Sequence, residues 1–414
     1  MEPLMEATPA PRRWRAGLTR NVLALGVVSL LTDISTEMIV PIRILFLVGV
    51  LGTPLPLAGL IEGLAESASS LLKIVSGQVS DRVVSRKPMI LLGYGVSNFA
   101  KPLLALATTW PQALGFILVE RVGKGLRTSP RDALMADSTA AAYRGKAFGF
   151  HRSMDTLGAA IGPLVTAAIL VWTNDNLRAV FAWTLIPGLL SLAAIALLVR
   201  ETRGPQAARR ESHQKAAAGS RHEPLARLGR GFWLFTTIAT VFALGNTSDA
   251  FIFLRTQGLE QSVVAVPLIY FGYNVVYALL ATPLGTLSDR WGRAPVLVAG
   301  FTAFGLVYAG WAAATQGWQA WALFVVYGVY AAATEGVAKA LVVDLAPSAA
   351  RGAALGWFNG LVGFAALPAN VLGGWLWSSY GPSATFAVGA ALGFTAAALL
   401  VAGSRWLRPT AGPA

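Results

Sequence analysis

Asp33 and Glu37 stand four residues apart in the apolar run 21–48. On a helix that spacing turns both carboxylates to one face, one turn apart. An ionisable group at the centre of a bilayer costs about 2.5–3.5 kcal/mol, so it persists where it has a task. A carboxylate whose surroundings alternate between apolar and cationic can load a proton and release it. Glu66 offers a third acid at the same depth. Basic groups are interleaved with these acids: Lys101, Arg121, Lys124 and Arg131, with Asp155 beyond them. They suit two tasks, balancing the buried acids or holding an anionic substrate. A second set lies in the other half of the chain: Asn246 and Asp249, then Tyr270, Tyr273, Asn274 and Tyr277, then Glu335, and last Trp357 to Asn359. Aromatic rings with a few polar groups suit an amphipathic small molecule.

The elements that carry these residues follow from composition. Of 414 residues, 55% are hydrophobic and 13% charged, where a soluble domain has about 25% charged. The soluble, disordered and disulfide-scaffold classes are excluded, and a polytopic all-α membrane protein remains. At about 20 apolar residues per crossing, spans fall near 21–48, 56–80, 88–108, 112–136, 146–171 and 177–199, then near 231–255, 262–286, 295–315, 319–345, 352–377 and 384–404. That makes twelve transmembrane helices in two six-helix bundles, 21–200 and 231–405, joined by the polar linker 201–230 and flanked by tails 1–20 and 406–414. The net charge of +13 gathers in alternate loops, around Arg12 to Arg20, Arg82 to Lys87, Arg144, 200–230, Arg290, Arg351 and Arg405. This positive-inside pattern predicts cytoplasmic tails and an inner-membrane location, and it accounts for the charge without nucleic acid.

Helical geometry then orders the charges. Glu62, Glu66 and Lys73 share an arc of about 40°, and His151, Asp155, Gly158 and Gly162 one of about 60°. Such stripes face the bundle interior, since lipid offers them nothing. At about 1.5 Å per residue, Asp33, Glu66, Lys101 and Lys124 fall near the midplane, with Glu37 and Arg121 slightly higher. An ion pair from Arg121 to Glu37 or Asp33 is the expected arrangement.

The chain is also an internal duplication. Gly77-Gln-Val-Ser-Asp81-Arg82 recurs as Gly285-Thr-Leu-Ser-Asp289-Arg290, and Asp137, Arg144 and Gly149 match Asp344, Arg351 and Gly356 at nearly the same offset. Parallel six-helix repeats are the architecture of two-bundle secondary transporters. Other chemistries find no support. There is no Cys for a thiolate metal site, Gly123-Lys-Gly125 lacks the spacing of a phosphate loop, and neither HExxH nor GxSxG occurs. No enzyme activity, cofactor or metal is expected, and the partners are a small-molecule substrate, protons and the bilayer, with the chain a monomer.

Gly285 to Arg293, with Asp289, Arg290 and Gly292, resembles the cytoplasmic gating motif of the major facilitator superfamily, and Gly77, Asp81 and Arg82 resemble its first-half copy, with Val84 in place of a glycine. Arg121 followed by Gly125, and Gly149, Gly158, Gly162 and Pro163, are similar to that family's motifs in spans 4 and 5. The second set departs at Val165 and Thr166, where the motif ends in glycine. Leu31 to Met38 and Arg127 to Leu134 resemble a bacterial drug-efflux-like subgroup. The resemblance implies alternating access, with the gating loops closing the cytoplasmic side through pairs such as Arg82–Asp137 and Arg290–Asp344. Proton-driven efflux of a small organic compound is the leading expectation. The alternatives are a symporter or uniporter of an organic anion and, more remotely, a non-transporting sensor.

Overall fold

A computed structural model describes residues 18–80, 85–140, 143–201, 228–259, 261–347 and 350–407. The two tails, most of the linker 201–230, and Asp81 and Arg82 lie outside them. The first half is built from α1 (Arg20–Glu37), α2 (Val40–Leu45), α3 (Leu55–Ser80), α4 (Lys87–Leu103), α5 (Trp110–Asp137), α6 (Arg144–Trp172), α7 (Leu177–Trp183) and α8 (Leu185–Leu198). The second is built from α9 (Arg230–Gly245), α10 (Asp249–Gly258), α11 (Ala265–Trp291), α12 (Arg293–Ala313), α13 (Gly317–Leu345), α14 (Arg351–Tyr380) and α15 (Pro382–Gly403). Paired across three breaks, these form twelve rods. Ten are long and apolar enough to cross a membrane. The other two, α3 with 26 residues and α5 with 28, are as long but carry the acids and bases singled out above.

The breaks have local causes. Pro41 has no N–H for the carbonyl of Glu37 and its ring crowds that carbonyl, so α1 stops at Glu37. Pro187 does the same to Trp183, dividing α7 from α8. The third break lies between Gly245 and Asp249, where the Ser248 hydroxyl accepts from Ala250 N at 3.3 Å and caps α10. Adding the repeat offset of 208 to 37 gives 245, so the first rod of each half is interrupted at the same place.

The duplication is visible in packing. α1 lies on α6 and α8, and α9 lies on α14 and α15; α3 pairs with α5 as α11 pairs with α13. Within each half the rod ends meet at one face. Asn21 donates to Ser138 Oγ at 2.9 Å and to Arg200 O at 2.8 Å, and Gly231 lies against the Trp406 backbone. We call this the terminal end. The halves join along α3–α14, α6–α11 and α2–α10. The start of α3 meets the last turns of α14 closely, Gly63 against Leu367 and Gly374 against Leu55, at the far end.

Candidate functional site

Five rods bring the carboxylates to the middle of the molecule. α1 and α6 run parallel, and at Gly158 and Gly162 they almost touch. A Cβ at Gly158 would lie 2.8 Å from the Cβ of Asp33, and one at Gly162 would lie 2.7 Å from the Cβ of Glu37. The small-xxx-small pair therefore packs against the two acid-bearing positions. Thr166, one turn higher, donates to Met38 O at 2.8 Å, a carbonyl left over by the break before Pro41. A glycine there would have no hydroxyl to offer. Gly149, by contrast, has open space where a side chain would sit.

Pro163 supplies a contact between the halves. It cannot donate to Ala159 O, and that carbonyl instead accepts from Asn274 Nδ2 of α11 at 3.1 Å. One turn along α11, the Tyr270 hydroxyl donates to Glu37 Oε2 at 3.0 Å. Glu37 thus faces the other half directly.

The basic residues are arranged differently from the sequence expectation. Arg121 lies 3.3 Å from Oε2 of Glu120, its chain neighbour, and Glu120 Oε1 accepts from Ser97 at 3.2 Å. Arg43 grips Glu62 with two prongs, its Nε at 2.8 Å from Oε1. Arg131 holds the adjacent Asp132 at 2.8 and 2.9 Å. Each base meets an acid on its own or the next rod, within reach before the halves meet. Lys101 is 1% exposed and its ammonium donates to neutral oxygens, Ser35 Oγ at 3.2 Å and Asn98 Oδ1 at 3.1 Å, which tie α1, α4 and α8 together. Lys124 lies on α5 within electrostatic reach of Glu37, Glu66 and Glu120. Arg43, Lys101, Arg121 and Glu120 line an internal cavity of about 20 Å³, the size of a water or two.

The wall contributed by the second half is a run of tyrosines with carboxylates between them. Tyr270, Tyr273 and Tyr277 stack along α11, and Tyr273 lies against Tyr327 of α13 with centroids 5.4 Å apart. Tyr327 donates to Asp249 at 2.6 Å, and Tyr277 donates to Glu335 at 2.9 Å while accepting from Arg152 at 3.2 Å. Asn246 Nδ2 reaches the Tyr330 hydroxyl at 3.2 Å. Glu37, Asp249 and Glu335 therefore each accept a hydrogen bond from a tyrosine hydroxyl. Tyr327 escaped the sequence reading because it lies in a wholly apolar run, where an aromatic reads as packing. Pro41 was the overlooked signal: a proline four residues after a buried acid marks the broken helix.

At the terminal end, Gly292 at φ +93° turns the chain sharply from α11 into α12. Arg293 then pairs with Asp289, lies 3.2 Å from Asp344 and donates to Ser288 at 2.7 Å. Arg290 instead lines a surface cleft with Thr282 and Thr286, and Gly285 has open space beside it. In the first half Arg86 pairs with Asp137. Among the described residues, Asp137 thus pairs with Arg86, which precedes α4, and Asp344 with Arg293, the first residue of α12, where Arg290 was expected; Arg82 lies outside them. These pairs hold helices of one half together. Gly77 falls near the end of α3.

Two parallel six-rod halves around a midplane site built on broken helices define a two-bundle membrane carrier fold. The Major Facilitator Superfamily model matches residues 25–270 and 250–414, and the chain belongs to that family. An uncharacterised MFS-type transporter of Methanocaldococcus jannaschii is 35% identical over 390 residues, 93% of this chain and 95% of that protein. A chloramphenicol resistance protein of Pseudomonas aeruginosa is 28% identical over 381 residues, 89% of this chain and 84% of that one. Among solved structures, a D-xylose–proton symporter superposes with a TM-score of 0.73 at 18% identity, covering 93% of this chain and 97% of that one. The protein is a multi-pass membrane transporter of the secondary type.

Proposed function

We propose that the chain is a proton-driven antiporter that exports a small organic compound, neutral or cationic, across the inner membrane. Twelve crossings with both termini in the cytoplasm fit the charge pattern, so the terminal end is the cytoplasmic one. The observation that carries the reading is Glu37. It closes the interrupted helix α1, packs against Gly162 of α6, and accepts from Tyr270 of the opposite half. A movement of one half against the other must break or remake that bond, so its proton affinity is tied to which side is open. Asp33 one turn below and Glu66 on α3 are the neighbouring acids in the same reading.

The partners of the buried bases bear on the charge of the substrate. Arg43, Arg121 and Arg131 are each matched to an acid, and Lys101 is enclosed by neutral oxygens. The wall of the second half shows tyrosine faces and the acids Asp249 and Glu335. Such a surface favours an amphipathic neutral molecule or cation over an anion. The resistance name of the Pseudomonas relative makes chloramphenicol a reasonable first probe, with ethidium as a cationic second.

The test is uptake of either probe into inverted vesicles with and without an imposed pH gradient. Wild type should accumulate at least one probe only with the gradient, and Glu37→Gln should exchange that probe across the membrane without accumulating it. Gradient-independent movement of an anionic probe by wild type would replace this reading with the anion pathway.

A further inference from the structure

Arg152 ties the two halves by a bridge that stands open on its sides. Its Nη2 donates to the Tyr277 hydroxyl at 3.2 Å, and that hydroxyl donates to Glu335 Oε2 at 2.9 Å. A cation of α6 thus reaches a carboxylate of α13 through one phenol of α11. Both charged ends are exposed, whereas Asn274 and Tyr270, one and two turns further up α11, are buried. Lipid offers nothing to a guanidinium or a carboxylate, so their exposed sides face water between the halves. Gly149, one turn below Arg152, and Gly336, next to Glu335, are exposed and have no atom within 4 Å of where a Cβ would stand. Tyr277 ends the ladder of rings that starts at Tyr270, and it stacks on no further ring among the described residues.

We propose that Arg152 is a tethered stand-in for the exported molecule, an organic monocation with a flat apolar body, whose positive group displaces the guanidinium at Tyr277 and Glu335. The inference rests on the reading of this wall as the substrate surface, and it fixes the charge that the wall takes. Glu335 Oε1 makes no hydrogen bond among the described residues, so a cation can meet it directly. An ammonium or amidinium donates there and to the Tyr277 oxygen, while a quaternary cation relies on charge and on the ring face. The body of the molecule lies along the tyrosine ladder. From Tyr277 to Tyr270 is seven residues, about 10 Å along the helix, and Tyr270 is the donor to Glu37. A molecule of that length touches both its own counter-charge and the partner of the proton carrier.

The bridge is built to give way. An exposed pair contributes little to stability, and here a hydroxyl stands between the two charges. A released guanidinium has Asp155 within electrostatic reach, three residues on along α6, a carboxylate that already accepts from Ser29 and lies 3.4 Å from His151 Nδ1. Lys339, one turn nearer the terminal end than Glu335, is exposed and pairs with no acid among the described residues. The cation that holds the site is therefore Arg152, and Lys339 is a like charge at a similar depth that does not.

Binding of ethidium and of tetraphenylphosphonium to the protein in nanodiscs, with no gradient, reads this competition. Arg152→Gln should bind both cations about fivefold tighter than wild type, near the upper end of what an exposed pair contributes. Glu335→Gln should bind them about fivefold weaker. The double variant should bind no tighter than Glu335→Gln, because without the carboxylate Arg152 has no place to hold. Lys339→Gln, which removes the same charge one turn away, should shift either affinity less than about twofold. Equal tightening by Lys339→Gln and Arg152→Gln overturns the proposal, and so does tightening by Arg152→Gln that persists beside Glu335→Gln, since both mark a general repulsion. Unchanged or weaker binding by Arg152→Gln, or no binding of either cation to it, overturns the proposal as well. A wild type that moves these cations without regard to the pH gradient, while the affinity changes hold, counts against the antiport reading alone.

Discussion

Glu37 and Asp33 are held where two backbones nearly touch, and the glycines opposite them leave no room for added volume. Gly158→Ala would force a Cβ to within 2.8 Å of Asp33 Cβ, and Gly162→Ala within 2.7 Å of Glu37 Cβ. Overpacking of this kind costs about 1–3 kcal/mol. Each variant should unfold at lower temperature in detergent, whereas Gly149→Ala, with open space beside it, should be neutral or gain up to about 1 kcal/mol as a helix former. Equal melting of all three would contradict the packing. Arg121 carries a second expectation. Its acid is Glu120, so Arg121→Ala should lower thermal stability by leaving a buried carboxylate short of its base, about 3–5 kcal/mol. Gradient coupling through Glu37 should survive in the fraction that remains folded, as read by probe uptake per folded molecule.

At the level of elements, most of the fold could be read from the sequence and much of the site could not. The rods were legible because a 20-residue apolar run has few alternatives in a bilayer. The duplication was legible because Gly77 to Arg82 and Gly285 to Arg290 repeat in one order. Pairing was harder. Helical phase and depth put Arg121 level with Glu37, yet the chain neighbour Glu120 captures it, because rotamers decide between two acids of similar height. In the second half the terminal pair also shifted, from Arg290 to Arg293, because the turn at Gly292 swings the first residue of α12 toward Asp344. Asp344→Asn should release Arg293 and loosen α12 on α13, slowing transport with insertion intact. Glu201 makes a comparable tie. Partial burial opposes its charge, but Ser85 and the backbone N–H groups of Lys87 and Arg86 donate to its carboxylate and hold its carboxyl below the ordinary range. A lowered acid stabilises above the unfolded value near about 4.3 and loses that contribution as pH falls through its own value. Thermal scans of wild type and Glu201→Gln should therefore differ at pH 7 and converge in acid.

For the whole molecule, the halves meet through bonds that a rocking motion can exchange. Asn274 to Ala159 and Arg152 to Tyr277 cross the α6–α11 interface, Tyr270 to Glu37 joins α11 to α1, and α3 with α14 closes the far end. These are hydrogen bonds between single groups, which suits two states of similar energy. The chain contains no cysteine, so labels can be placed at will. The most direct test is a pair of spin-label distances in nanodiscs, Val50 with Ser379 at the far end and Val79 with Gly356 at the terminal end, all exposed positions. Alternating access coupled to protonation predicts two populations whose weights change with pH, the far-end distance lengthening as the terminal-end distance shortens. In Glu37→Gln the weights should stop responding to pH. Single distances at both ends, unmoved by pH and unchanged in Glu37→Gln, would contradict the account.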